Sequence, residues 1–283
     1  MIDPSLISPL EVEAISAACS AMVRFLPETH STNDDARAAA AAGAAHGTVF
    51  LTDNQTGGRG RRGAAWHSPP GRNFLGSIIL RPELPPEKWP RLTHACALAV
   101  CLALEDTAGS PPAQIKWPND VILSGKKVCG ILVEGVLHAG AGSVIAGIGV
   151  NLNMLSSDFA PDIRGAATSA WLENGRLPID RTAFCISLLR HLQRTVQAVA
   201  DAPESILHEC ASRSSLHGQR LTMLCGRDVR EGTFCGLGPE GELVLQTASG
   251  QELISSADLV RPVRDWVASN GTTLTDAPVT SFP

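Results

Sequence analysis

Residues Gly57 to Trp66 read GGRGRRGAAW, and KWPND follows from Lys116 to Asp120. Three Arg among four Gly in Gly57–Gly63 cannot form a core element. Such a loop carries dense positive charge on a backbone that bends almost anywhere. It suits a polyanion that must be enclosed and then released, and triphosphate is the first to consider. The apolar segments on either side supply a rigid frame for a mobile clamp.

Lysine usage sharpens the reading. The chain has four Lys, at 88, 116, 126 and 127, against nineteen Arg, and three of the four fall between 116 and 127. Arg is a planar fork and Lys a compact point charge. The cluster marks a place where a point charge is wanted, with a solvated turn at SGKK as the plain alternative for Lys126.

Composition limits the partners. The net charge is −5, with 44% hydrophobic and 18% charged residues. A dedicated nucleic-acid binder normally carries a basic footprint across its domain; here the positive charge is local, as for a small anionic ligand. No run of eighteen apolar residues occurs, so no membrane span is expected, and the N-terminus does not read as a signal peptide. The eight Cys form no CxxC pair and no zinc-finger spacing, so free thiols in a reducing cytoplasm are expected.

Along the chain, residues 1–20 read as a short arm, 21–215 as the main domain, 216–264 as a small β-barrel and 265–283 as a disordered tail. In the main domain, VRFLPETHSTNDDARAAAAAG gives a strand, a turn and an Ala-rich helix. Ser31 or Thr32 can cap that helix, and Asp34 and Asp35 sit in its first turn. GTVFLTDNQ and NFLGSIILRP are strands, and RLTHACALAVCLALEDTAG is a helix apolar almost all round, hence buried. QIKWPNDVIL reads as a strand broken at Pro118, KVCGILVEGVL and SVIAGIGVNLN as two more strands, and 168–214 as helical. After His217, short strands and Gly turns alternate.

Several residues have candidate roles. Trp66 can stack on a nucleobase or anchor the base of the loop. Lys116 can face a carboxylate and a phosphate together, relieving the repulsion between two anions brought together to react. Asn119 and Asp120 can hold a nucleotide or its Mg²⁺. Gly147 and Gly149 let a ligand approach the sheet, Gly130 lies within it, and Asn151 is a lone amide that needs a backbone or ligand partner.

HSTND, NQTGGRGRRGAAW, KWPND, KKVCGILVEG and GIGVNLN, in this order, closely resemble the biotin protein ligase family, biotin–[acetyl-CoA carboxylase] ligases, from about Val23 to Val263. The resemblance implies an α+β fold: a class II synthetase/biotin ligase-like mixed sheet flanked by helices, with a C-terminal SH3-like β-barrel. It implies the short form without an N-terminal DNA-binding domain. It further implies that biotin attacks Mg-ATP to give biotinyl-5′-AMP, and that a lysine of a biotin carboxyl carrier protein then takes the biotinyl group. By motif, Ser31, Thr32, Asn33, Gln55, Gly58, Arg59, Lys116, Gly130 and Gly147 would bind biotin. Arg61, Arg62, Trp66, Asn119, Asp120, Lys127 and Asn151 would bind ATP, with Asp120 also a Mg²⁺ ligand. Lys116, Arg59 and Arg61 would be catalytic. The resemblance leaves room for a homodimer. A lipoate-type ligase is the nearest rival, but the Gly-Gly-Gly motif usual there is missing; a non-catalytic biotin- or RNA-binding protein is the other. Cys129 stands where the family more often has Ala; it reads as a tolerated small residue, with an alkylation-sensitive thiol as the alternative.

Overall fold

The computed structural model describes residues 7–138 and 141–263, so the expected tail lies outside the described residues. Helix α1 (Val12–Cys19) leads into a βαβ unit: β1 (Val23–Thr29), α2 (Thr32–Ala41) and β2 (Val49–Gln55). The helical crossover makes β1 and β2 parallel. Then come β3 (Phe74–Leu80), α3 (Arg91–Thr107), β4 (Gln114–Lys116), β5 (Asp120–Leu123), β6 (Lys126–His138) and β7 (Ala141–Val150). They complete a mixed seven-stranded sheet of order β1-β2-β3-β7-β6-β5-β4. Helices α4 (Ala170–Glu173), α5 (Arg181–Asp201) and α6 (Pro203–Ser212) follow.

Strand alternation divides the sheet into two faces. Val49, Leu51, Ile78, Leu80, Val144 and Ala146 join the main core with buried residues of α3 and α5. Phe50, Ile79 and Ile145 point the other way, against Ala36 and Ala40 of α2. Helix α3 is buried along most of its length, as its all-round apolarity requires. On the α2 face the apolar row gives way to Ser77, Gly147 and Gly149, and that change opens room for a site.

One expectation needs correction. QIKWPNDVIL is two strands, not one interrupted strand: β4 and β5 are antiparallel, with Lys116 opposite Asp120. Trp117, Pro118 and Asn119 form the tip between them, and the Trp117–Pro118 bond is cis. The turn aims Lys116 and Asp120 at the same face instead of sideways.

The C-terminal unit is the SH3-like one. Its strands are β8 (Arg220–Cys225), β9 (Asp228–Leu237), β10 (Leu243–Thr247), β11 (Gly250–Ile254) and β12 (Leu259–Pro262). They form an antiparallel sheet of order β11-β10-β9-β8-β12. The last of these, four residues containing Arg and Pro, gave no strand signal in the sequence. The two units are joined by shared packing. Trp117, at the hairpin tip, is 3% exposed and belongs to the core of the C-terminal unit. Its indole N–H donates to Gly241 O at 3.0 Å, and His94 Nε2 of α3 lies 2.9 Å from the same oxygen. Burial holds the His94 imidazole below its ordinary pKa, so it is neutral at pH 7. No described helix is long and apolar enough to cross a membrane.

Candidate active site

A cavity of about 650 Å³ opens on the α2 face of the sheet. Strand register explains how it is lined. Lys116 pairs with Asp120, Asp120 with Gly130 and Gly130 with Gly149, so one row crosses four strands. Directly opposed residues of antiparallel strands share a face. The row therefore sets a cation, a carboxylate and two glycines side by side under the cavity.

The glycines do something more specific than admit a ligand. A Cβ on Gly130 would fall 2.9 Å from the Trp66 ring, and one on Gly149 would fall 2.7 Å from it. The paired glycines form a flat seat for that indole. Lys127 Nζ lies 5.7 Å from the ring centroid and 2.7 Å from Asp120 Oδ1. One side of the Trp66 ring is seated on the sheet, which anchors the base of the loop, and the ring lines the cavity. Gly147 differs. A Cβ there would sit 2.1 Å from Asn33 Oδ1, so the space belongs to Asn33.

At the other end a polar chain runs along the first turn of α2. Gln55 Oε1 accepts from the Thr32 N–H at 2.9 Å and from its hydroxyl at 3.2 Å. Thr32 Oγ1 meets Ser77 Oγ at 2.7 Å, Ser77 Oγ donates to Asn33 Oδ1 at 2.6 Å, and Asn33 Nδ2 donates to Glu134 at 2.8 Å. Ser31 holds the N-cap position, but its hydroxyl makes no capping bond. It lines the cavity instead. Ser31, Thr32 and Asn33 are buried, and Thr32 and Asn33 are fixed through Gln55, Ser77 and Glu134, a rigid rim rather than solvated turn residues.

The Arg-Gly loop closes over this floor. Gly60 N–H donates to Ala64 O at 2.7 Å and Trp66 N–H to Gly58 O at 2.9 Å, so the loop forms a compact flap. Arg59 forks onto Asp34 at 2.9 and 2.5 Å. That bond holds the Asp34 carboxyl below its usual range. Arg61 reaches Asn119 Oδ1 at 3.5 Å and Ser256 Oγ at 3.4 Å. Burial lowers the Arg61 pKa, with the neighbouring Arg62 adding to the effect. Arg62 pairs with Asp258 of the C-terminal unit. Lys116 lines the cavity and has no hydrogen-bond or ion-pair partner among the described residues.

The structure brings together Ser31, Thr32, Asn33, Gln55, Arg59, Arg61, Arg62, Trp66, Lys116, Asn119, Asp120, Lys127, Gly130 and Gly147. Two expected residues stay out. Gly58 is packed in the loop base, where a Cβ would meet Trp66 O at 2.8 Å. Asn151 is buried at the end of β7 and donates to Thr168 O at 3.0 Å, so its amide serves the backbone. Sequence reasoning missed Ser77, whose only signal is one hydroxyl in an apolar strand. It also missed the wall at Ala257–Arg261, which no local pattern announces.

Cys129 pairs across the sheet with Val150 on the core face, fully buried. Burial pushes its thiol well above the ordinary value, and only the thiolate reacts readily. Alkylating the folded protein is expected to modify exposed Cys235 first and to leave Cys129 untouched until unfolding. Peptide mass mapping checks this. The alkylation-sensitive reading of Cys129 is therefore set aside.

The site is one cavity with a polar rim at one end and a cluster of Arg and Lys at the other, and the biotin/lipoate A/B protein ligase family model matches residues 24–151. The bifunctional ligase/repressor BirA of Bacillus subtilis is 36% identical over 233 residues, 81% of this chain and 70% of that protein. The biotin–[acetyl-CoA-carboxylase] ligase of Paracoccus denitrificans is 33% identical over 244 residues, 83% of this chain and 98% of that one. Among solved structures, the biotin protein ligase from Aquifex aeolicus in complex with biotin and ATP superposes with a TM-score of 0.73. That match has 26% identity and covers 85% of this chain and 99% of the other. The chain belongs to the biotin protein ligase family.

Proposed function

We propose that the protein activates biotin with ATP and transfers it to a lysine of a biotin carboxyl carrier protein. The observation that carries this is the row Lys116–Asp120–Gly130–Gly149 beneath the Arg-Gly flap. The likeness to a ligase solved with biotin and ATP supports it. In the first step a biotin carboxylate oxygen bonds to the α-phosphorus of ATP. The α–β phosphoanhydride breaks, and pyrophosphate leaves. In the second, a neutral lysine amine attacks the acyl carbon, the amine proton goes to a base, and AMP leaves.

Ser31, Thr32, Asn33 and Gln55 form the rim for the polar head of biotin, with Gly147 in the floor and Gly58 in the loop base. Arg59 and Arg61 close over biotin and phosphate, and Lys116 stands where the two anions meet. Trp66, Asn119, Asp120 and Lys127 hold the nucleotide end, with Gly130 beneath Trp66. The free thiols among the described residues fit a reducing compartment, and the reaction is assigned to the cytoplasm.

Mg²⁺ enters with ATP. No described group of three or more His, Cys, Asp or Glu could cage a metal. Asp120, paired with Lys127 at 2.7 Å, would be the single carboxylate to hold the ion. Once bound, the ion would neutralise phosphate charge.

The glycine seat gives a prediction. Gly149→Ala puts a methyl 2.7 Å from the indole, so the ring must shift. The KM for ATP is expected to rise about tenfold, within the range for overpacking, while the KM for biotin changes little. Steady-state kinetics with each substrate varied separates the two, and a change confined to biotin would remove Trp66 from the nucleotide site. The complete reaction is tested with a purified carrier domain, biotin and Mg-ATP. A mass gain of one biotinyl group on one lysine is expected; an unmodified carrier in the presence of formed adenylate would leave only the first step.

A further inference from the structure

The three arginines of the loop end in three different places. Arg59 forks onto Asp34, and Asp34 is itself held by Arg37, whose Nη1 donates to it at 3.0 Å. The other end of the Arg37 fork lies 2.7 Å from Glu134, which fixes that cluster to β6. Arg62 pairs with Asp258. The second oxygen of Asp258 accepts from Gly226 N–H at 2.7 Å, so this carboxylate is also tied down. Arg62 adopts φ 57°, ψ 26°, a left-handed conformation rare for a residue with a side chain. Arg61, between them, has no carboxylate within ion-pair distance among the described residues. Its two contacts, to Asn119 and Ser256, are long and neutral.

We propose that Asp34 and Asp258 are positioning residues that pin the two ends of the Arg-Gly loop, one from the main domain and one from the C-terminal unit. Their pairing neutralises the outer arginines and leaves the charge of Arg61 unspent over the cavity, beside the equally unpaired Lys116. The C-terminal unit is thus part of the clamp. Seating the flap requires both domains, and the position of Arg61 is set from each side. The identity of what Arg61 meets rests on the proposed biotin adenylation; the pinning does not.

The test is a pair of double-mutant cycles, Asp258→Asn with Arg62→Ala and Asp34→Asn with Arg59→Ala. Two readouts apply: the rate of tryptic cleavage after Arg61 in ligand-free protein, and the rate of biotinyl-adenylate release. Each Asp→Asn change is expected to speed both about fivefold, the upper end for a half-exposed ion pair. In the background lacking its arginine, the same change is expected to have no further effect. A merely structural carboxylate would disturb the loop with or without its arginine, so equal effects in both backgrounds overturn the proposal. Wild-type rates in the single Asp→Asn variants also overturn it. Proteolysis needs neither biotin nor ATP. If the wild-type protein forms no adenylate, the functional reading fails while the cleavage rates still decide the pinning.

Discussion

Replacing Lys116 with Ala is expected to lower kcat for biotin adenylation by about two to three orders of magnitude, the scale for removing one preorganised charge-stabilising group. Lys116 is one of four lysines in the chain and sits opposite Asp120 across the hairpin. Its ammonium has no ion-pair or hydrogen-bond partner among the described residues, although it lines the cavity. Two anions must come together there, and each repels the other. At 4 Å a unit charge pair is worth roughly 4 kcal/mol at an effective dielectric of 20, enough to matter on both sides of the reacting centre. Because the ammonium makes no hydrogen bond or ion pair among the described residues, the stability of the variant should lie within about 0.5 kcal/mol of the parent. Lys127 is the internal control. It is already paired with Asp120 and stacked on Trp66, so Lys127→Ala should act mainly on the KM for ATP. Single-turnover adenylation kinetics check both, and a Lys116→Ala enzyme within threefold of wild type would remove Lys116 from the chemistry.

The second large effect concerns retention. Arg61→Gly takes away the loop cation that has no carboxylate partner among the described residues and lengthens a run already rich in glycine. Freed backbone costs about 1–2 kcal/mol per residue to order again, and the charge that would offset that cost is gone. The flap should then close poorly over a mixed anhydride that it otherwise shields from water. Biotinyl-adenylate is expected to escape and acylate unrelated lysines. Incubating the variant with biotin, Mg-ATP and a bystander protein, then probing for biotin, reads this directly. Bystander labelling at the wild-type level would count against the clamp.

The sequence carries much of this because the chemistry is concentrated in short motifs. GGRGRRG cannot be buried, and KWPND cannot continue a strand, so both declare themselves. The β-branched strands and the all-round apolar α3 follow from periodicity alone. What failed to show depends on pairing between distant segments. That Gly130 and Gly149 are opposite one another, and together seat Trp66, is a fact of register between β6 and β7. Gly147 looked like space for a ligand because nothing local says that Asn33, over a hundred positions earlier, fills it. Asn151 looked like a ligand-binding amide because its backbone partner, Thr168, lies on another segment. Asp34 read as a helix-dipole residue; its bond to Arg59 needs the loop folded back over α2. Asp258 and β12 lie in a stretch with no strand signal and acquire meaning only when Trp117 docks the C-terminal unit against the hairpin.

Biotin-dependent exchange of labelled pyrophosphate into ATP tests the account most directly, with Mg²⁺ present and lipoate and octanoate run in parallel. It reports formation of the acyl-adenylate without a carrier protein. The account predicts exchange with biotin and none with the other two acids. Exchange with lipoate in place of biotin, or no exchange with any of the acids from folded protein, would contradict it.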